Sequence, residues 1–75
     1  MDSLAEKEAL ILRKRRMELG ISQMQVAVEA DIYTQQYQRF ESGKKRISNA
    51  SLLMGLRVCK ALDLDPYLFF VVRDD

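Results

Sequence analysis

The sequence predicts an all-α fold, a compact single domain of five helices. Three observations carry that prediction. Apolar residues recur at steps of three and four, with no sustained strand-like alternation outside the last few residues. Gly20 and Gly43 each stand just past such a stretch, where a helix commonly ends in a left-handed residue. Ser22-Gln23-Met24-Gln25 reads as a capping box and Asp65-Pro66 as an N-cap followed by a first helical residue, so helix starts are marked as well as stops. With 75 residues, no internal repeat and no linker-like stretch, the chain is read as one domain over 1–75. A core this small supports a stability of only ~4 to 11 kcal/mol.

The first helix runs from about Leu4 to Leu19, because Ala5, Ala9, Leu12, Arg16 and Leu19 share one stripe. Arg16 is the odd member and needs a partner, since an unpaired buried charge is costly. Ser22 caps the second helix, whose inward face is Val26, Ala27 and Ala30. The pattern breaks at Asp31-Ile32-Tyr33, and a third helix runs from Thr34 to about Ser42 with Tyr33, Tyr37 and Phe40 inward. On a 100° wheel, Gln35, Gln38, Arg39 and Ser42 point the opposite way, with Thr34 at the flank. Ser48 or Asn49 can cap a fourth helix whose apolar positions include Leu52, Leu56, Cys59 and Leu62. The fifth begins at Asp65-Pro66 and is apolar all round through Tyr67, Leu68, Phe69 and Phe70. Val71 and Val72 extend it or form a short strand.

Composition excludes much chemistry. With no His and a single thiol, Cys59, there is no Cys/His metal cage, no internal disulfide and no histidine base, so neither an enzyme nor a cofactor is expected. No small-molecule ligand is predicted. The first nine residues carry Asp2, Glu6 and Glu8 without an apolar run, unlike a signal or transit peptide. The longest apolar stretch, Leu68 to Val72, is too short to span a bilayer, so a cytoplasmic, membrane-free protein is expected.

The net charge of +1 hides a pattern. Residues 13–20 hold Arg13, Lys14, Arg15 and Arg16 against Glu18, and residues 44–46 hold Lys44, Lys45 and Arg46, while the rest of the chain is net negative. Two short helices joined by a three-residue turn, the second exposing Gln, Arg and Ser opposite its apolar face, form a helix-turn-helix arrangement. It sets the basic clusters on either side of the Gln-rich face. A Gln amide can pair bidentately with an adenine edge, Arg with guanine, and a Thr methyl can pack on thymine. By spacing alone, Gln35, Gln36 and Gln38 are equally well read as solvent-facing helix formers.

The wider pattern resembles the phage-repressor (Cro-like, XRE) helix-turn-helix family. The resembling residues are Leu12, Arg13, Arg16, Leu19-Gly20-Ile21-Ser22-Gln23 and Val26-Ala27; then Ile32, Tyr37 and Phe40-Glu41-Ser42-Gly43-Lys44; then Cys59-Lys60-Ala61-Leu62-Asp63-Leu64. The likeness covers about four-fifths of the chain, from Leu12 to Phe70. It implies a lambda-repressor-like DNA-binding domain with helix-turn-helix at the second and third helices, and a structural ion pair between Arg16 and Glu41. By position, Thr34, Gln35 and Arg39 correspond to base-reading residues, with Gln38 on the same face. Gln23 matches a phosphate-gripping position, and Ser42, Lys44, Lys45 and Arg46 would meet the backbone beyond the recognition helix. Against the family pattern, Asp31 stands where a turn Gly is usual and Tyr33 where a small N-cap is usual. Tyr37 is bulkier than the usual aliphatic. The segment from Gly43 to Leu62 is about three residues longer than usual, with Gly55 near an aliphatic position. Cys59 occupies an alanine-like slot.

The resemblance therefore implies a sequence-specific regulator of transcription that binds double-stranded DNA, as a homodimer joined through Tyr67 to Val72 or assembled on DNA; part of that segment has an equal claim to a place in the core. The alternative is an interaction module, antitoxin-like or an adaptor subunit, that keeps the fold with little DNA binding. Exposed Leu10, Ile11 and Met17 and the near-neutral charge favour that alternative.

Overall fold

A computed structural model describes residues 3–70 of the chain. Four α-helices occur among them: α1 (Ser3–Leu19), α2 (Gln23–Ala30), α3 (Thr34–Glu41) and α4 (Leu52–Leu62). Single 3-10 turns cover Ile47–Asn49 and Pro66–Leu68, and there is no strand among the described residues. The all-α class holds, but the expected fifth helix is only the second of these turns. Asp65 does cap it, accepting from the Tyr67 N–H at 2.9 Å. The backbone N–H groups of Phe69 and Phe70 both return to the Pro66 carbonyl, and the turn ends after Leu68, with Phe69 entering the core. The expected conformation of Val71 and Val72 lies outside the described residues.

The helix ends share one device. Gly20 ends α1 with φ +68°, Asp31 ends α2 with φ 58°, Gly43 follows α3 with φ +78°, and Asp63 ends α4 with φ 51°. A left-handed residue turns its N–H back onto the last carbonyls of the helix, satisfying groups that would otherwise be orphaned. Asp is among the few side chains that visit this region with modest strain, so the Asp31 turn survives without glycine. At the other end of α2 the capping box is present: Ser22 Oγ accepts from Gln25 N at 3.0 Å, and Gln25 Oε1 accepts from Ser22 N at 2.7 Å. Tyr33 begins α3 with half of that arrangement. Its N–H donates to Gln36 Oε1 at 2.8 Å, but its own side chain makes no cap hydrogen bond. The ring, expected to face inward, is 76% exposed, because an N-cap residue in extended conformation lies outside the helical stripe.

The core gathers Leu12 from α1, Val26, Ala27 and Ala30 from α2, Tyr37 and Phe40 from α3, Val58, Cys59 and Leu62 from α4, and Ile47 and Phe69 from the turns. The inward face of α2 is as the spacing predicts. In α1, Ala5, Ala9 and Leu12 are buried, whereas Leu19 emerges into solvent at the helix end and Ile11 packs against the core instead of standing exposed.

The fourth helix differs most. Its N-cap is Ser51, whose Oγ accepts from Met54 N at 3.2 Å, and not Ser48 or Asn49. Ser48 is engaged elsewhere: its Oγ donates to Glu8 Oε2 at 2.6 Å, while the 3-10 turn around it buries Ile47. This turn and its bond to Glu8 occupy the segment between α3 and α4. The buried stripe of α4 becomes Gly55, Val58, Cys59 and Leu62, leaving Leu52 and Leu56 exposed. Gly55 has a definite role, since a Cβ there would collide with the Phe70 ring. The aromatic ring fills the place of the missing side chain.

Candidate nucleic-acid interface

Residues 34–42 present two unlike faces. Tyr37, Phe40 and Glu41 are buried, while Gln35, Gln38, Arg39 and Ser42 are exposed within an arc of about 100° on a helix of 3.6 residues per turn. Thr34 is half-buried at the flank of the first turn. The basic loop folds back against the end of this helix: Lys45 N donates to the Arg39 carbonyl at 3.1 Å, and Ser42 Oγ donates to the same carbonyl at 3.2 Å. Lys44 and Lys45 are therefore held beside the last turn of α3 with exposed side chains, and Arg46 is half-buried next to them.

Beneath this face lies the expected ion pair. Arg16 donates to Glu41 through Nε to Oε2 at 2.6 Å and Nη2 to Oε1 at 3.1 Å, a bidentate fork, and its Nη1 reaches the Ile21 carbonyl at 3.0 Å. The Glu41 side chain is only 4% exposed. Burial pushes its carboxyl up, yet the hydrogen bonds from Arg16 and Gln23, together with the nearby Tyr37 hydroxyl, outweigh that and hold it below its ordinary value. Arg16, held mainly by its bond to Glu41, is raised further and stays charged. The Tyr37 hydroxyl is buried beside this pair, close enough to feel both charges, without completing a hydrogen bond of good geometry. Burial first, then Glu41, keep the phenol protonated.

Gln23, at the start of α2, is half-buried and tied into the same cluster. Its Nε2 donates to Glu41 Oε1 at 3.1 Å, and its Oε1 accepts from Gln38 Nε2 at 3.2 Å. The structure thus brings Gln23, Gln38, Arg39, Ser42 and the 44–46 loop together around α3. The other basic cluster divides. Arg15 donates to the Leu62 carbonyl at 2.9 Å and contacts Asp63 at 3.4 Å, tying α1 to the end of α4. With Arg16 on Glu41, only Arg13 and Lys14 of that run remain exposed.

Two structural contributions escape sequence reasoning, Arg15 on the Leu62 carbonyl at the end of α4 and buried Glu8 on Ser48. The only signal for the first is a cation with a long side chain opposite a helix end, and nothing marks Glu8 as buried. Cys59 is a buried core residue as expected, its thiol raised to about 11 by burial and by Asp65. No cluster of three or more His, Cys, Asp or Glu able to hold a metal occurs among the described residues. No helix among them is long and apolar enough to cross a membrane.

A short helix laid across another, joined by a left-handed turn and presenting a polar face flanked by lysines, defines a helix-turn-helix protein. Residues 12–69 match the helix-turn-helix family HTH_3, and the chain belongs to this Cro and phage-repressor-like (XRE) family of DNA-binding regulators. No curated protein and no solved structure matches the chain.

Proposed function

We propose that the chain is a sequence-specific transcriptional regulator that lays α3 in the major groove of double-stranded DNA. The observation that carries this reading is the outward polar face of α3 with the lysine loop hydrogen-bonded against its end. Thr34, Gln35, Gln38 and Arg39 read base edges. Ser42, Lys44, Lys45 and Arg46 hold phosphates, which position the helix without carrying sequence information. Gln23 has one amide N–H left after its bond to Glu41, and that N–H meets a phosphate at the start of α2.

One module makes few contacts, so the proposed unit is a homodimer on half-sites about one helical turn apart. Its interface is exposed Tyr67 and Leu68 together with the groove of about 270 Å³ lined by Leu52, Leu56, Pro66, Tyr67 and Phe70. Phe69 belongs to the core and cannot serve this purpose.

Selection of bound duplexes from a random pool tests the reading. An inverted repeat is expected, with affinity falling at a log-log salt slope of roughly −0.9 per phosphate neutralised. Lys44→Ala combined with Lys45→Ala should weaken binding to all duplexes alike and flatten that slope by about two. Gln35→Ala with Arg39→Ala should instead relax sequence preference. Binding insensitive to salt and to both pairs of changes overturns the proposal. Exposed Met24 and Val28 on α2 favour the second reading, an interaction module, which predicts that no duplex is selected.

A further inference from the structure

We propose that Gln23 and the Arg16–Glu41 pair are positioning residues for Gln38, fixing which way round its amide meets a base; this rests on the DNA-binding reading above. Donors and acceptors decide the orientation at each step. Arg16 can only donate, and ionised Glu41 can only accept. The Gln23 atom 3.1 Å from Glu41 Oε1 must therefore be its nitrogen, which sends its oxygen the other way. The Gln38 atom 3.2 Å from that oxygen must in turn be its nitrogen. An amide whose two ends normally exchange freely is thus oriented without ambiguity by the charge at the far end of the series of bonds.

The consequence falls on an exposed face. Gln38 keeps its carbonyl oxygen and one N–H, an acceptor beside a donor, which is the pairing an adenine edge in the major groove requires. A free surface Gln would have to order its side chain on binding, whereas here the partner is already held by a bidentate ion pair buried under α3. The ion pair therefore does more than join α1 to α3: through Gln23 it reaches a residue that reads sequence.

The test compares wild type, Gln23→Met, Gln38→Ala and the double variant on duplexes varied one base pair at a time from the selected half-site. Gln23→Met keeps the length of the stem and removes both hydrogen bonds. Gln38 should supply about tenfold discrimination at one base pair. Gln23→Met should reduce that discrimination to roughly the level of Gln38→Ala at the same base pair and at no other, over a uniform loss from its phosphate contact, and the double variant should lose no further discrimination. A uniform loss over all duplexes with the preference intact would make Gln23 a phosphate contact only and overturn the proposal.

A second readout does not pass through DNA. In the free protein the Gln38 side-chain amide resonances should move in Gln23→Met, and those of Gln23 and Gln38 together in Glu41→Gln. Unmoved Gln38 amide signals overturn the link whatever the duplex result. If wild type selects no duplex, the DNA-binding reading fails and takes the specificity role with it, while the amide shifts still report the series of bonds.

Discussion

Arg16 and Glu41 show how much one pair of side chains can decide. A guanidinium on an apolar stripe demands a partner, and the spacing of apolar residues around position 16 makes that demand plain. The bonds reach from α1 to the end of α3 and take in Gln23, so losing either charge strands the other in a poorly solvated place. Glu41→Gln is expected to cost about 2 to 3 kcal/mol near neutral pH, somewhat below a fully buried pair because Arg16 is partly exposed. The sign of the pH dependence follows from the depressed carboxyl of Glu41. Its contribution is complete above the ordinary carboxylate value of 4.5 and is lost as pH falls through the lower folded value. Thermal melts from neutral pH into the acid range should show wild type losing more stability than Glu41→Gln, the two curves converging. Parallel curves would mean that Glu41 contributes nothing through its charge.

Among the helices, the stops are more legible than the starts. Gly20 and Gly43 announce left-handed ends by themselves, and Asp31 does so through its place in the turn. Asp31→Ala should destabilise by about 1 kcal/mol, because a Cβ without a compensating polar group meets the left-handed penalty. Asp31→Gly should stay within about 0.5 kcal/mol of wild type, relief of strain being offset by the greater freedom of glycine in the unfolded chain. Urea melts of the two variants check this, and equal effects would argue against strain at the turn. The start of α4 is not legible. Ser48, Asn49 and Ser51 are all good caps by composition, and the choice rests on Glu8, 40 residues before Ser48, taking the Ser48 hydroxyl.

Across the whole molecule, α1 and the residues after α4 act as clamps. Arg15 closes the end of α4, Arg16 closes α3, Glu8 holds the segment between them, and Phe70 covers Gly55. Alanine in place of a glycine inside a helix ordinarily stabilises by about 1 kcal/mol. Gly55→Ala should show no such gain, because its Cβ displaces the Phe70 ring. In a Phe70→Ala background the same change should recover the full ~1 kcal/mol. A denaturation cycle over the four proteins gives the coupling, and its absence would place Phe70 away from α4 in solution. The outward residues of this same region, Tyr67, Leu68, Leu52 and Leu56, form the surface proposed for pairing with a second copy.

The all-α class, the first three helices, their stops and most of their buried faces are written locally in the chain, because helical periodicity, capping boxes and left-handed residues act over a few positions. The Arg16–Glu41 pair is legible too, through an unmet charge and a family pattern. Folding in three dimensions settles the rest: Ser51 and not Ser48 caps α4, the segment after Asp65 is a turn and not a helix, and Gly55 seats an aromatic ring. It also sets Gln23 between Glu41 and Gln38. Each of these depends on groups distant in sequence competing for one partner or one space, and no local pattern records the outcome of such a competition.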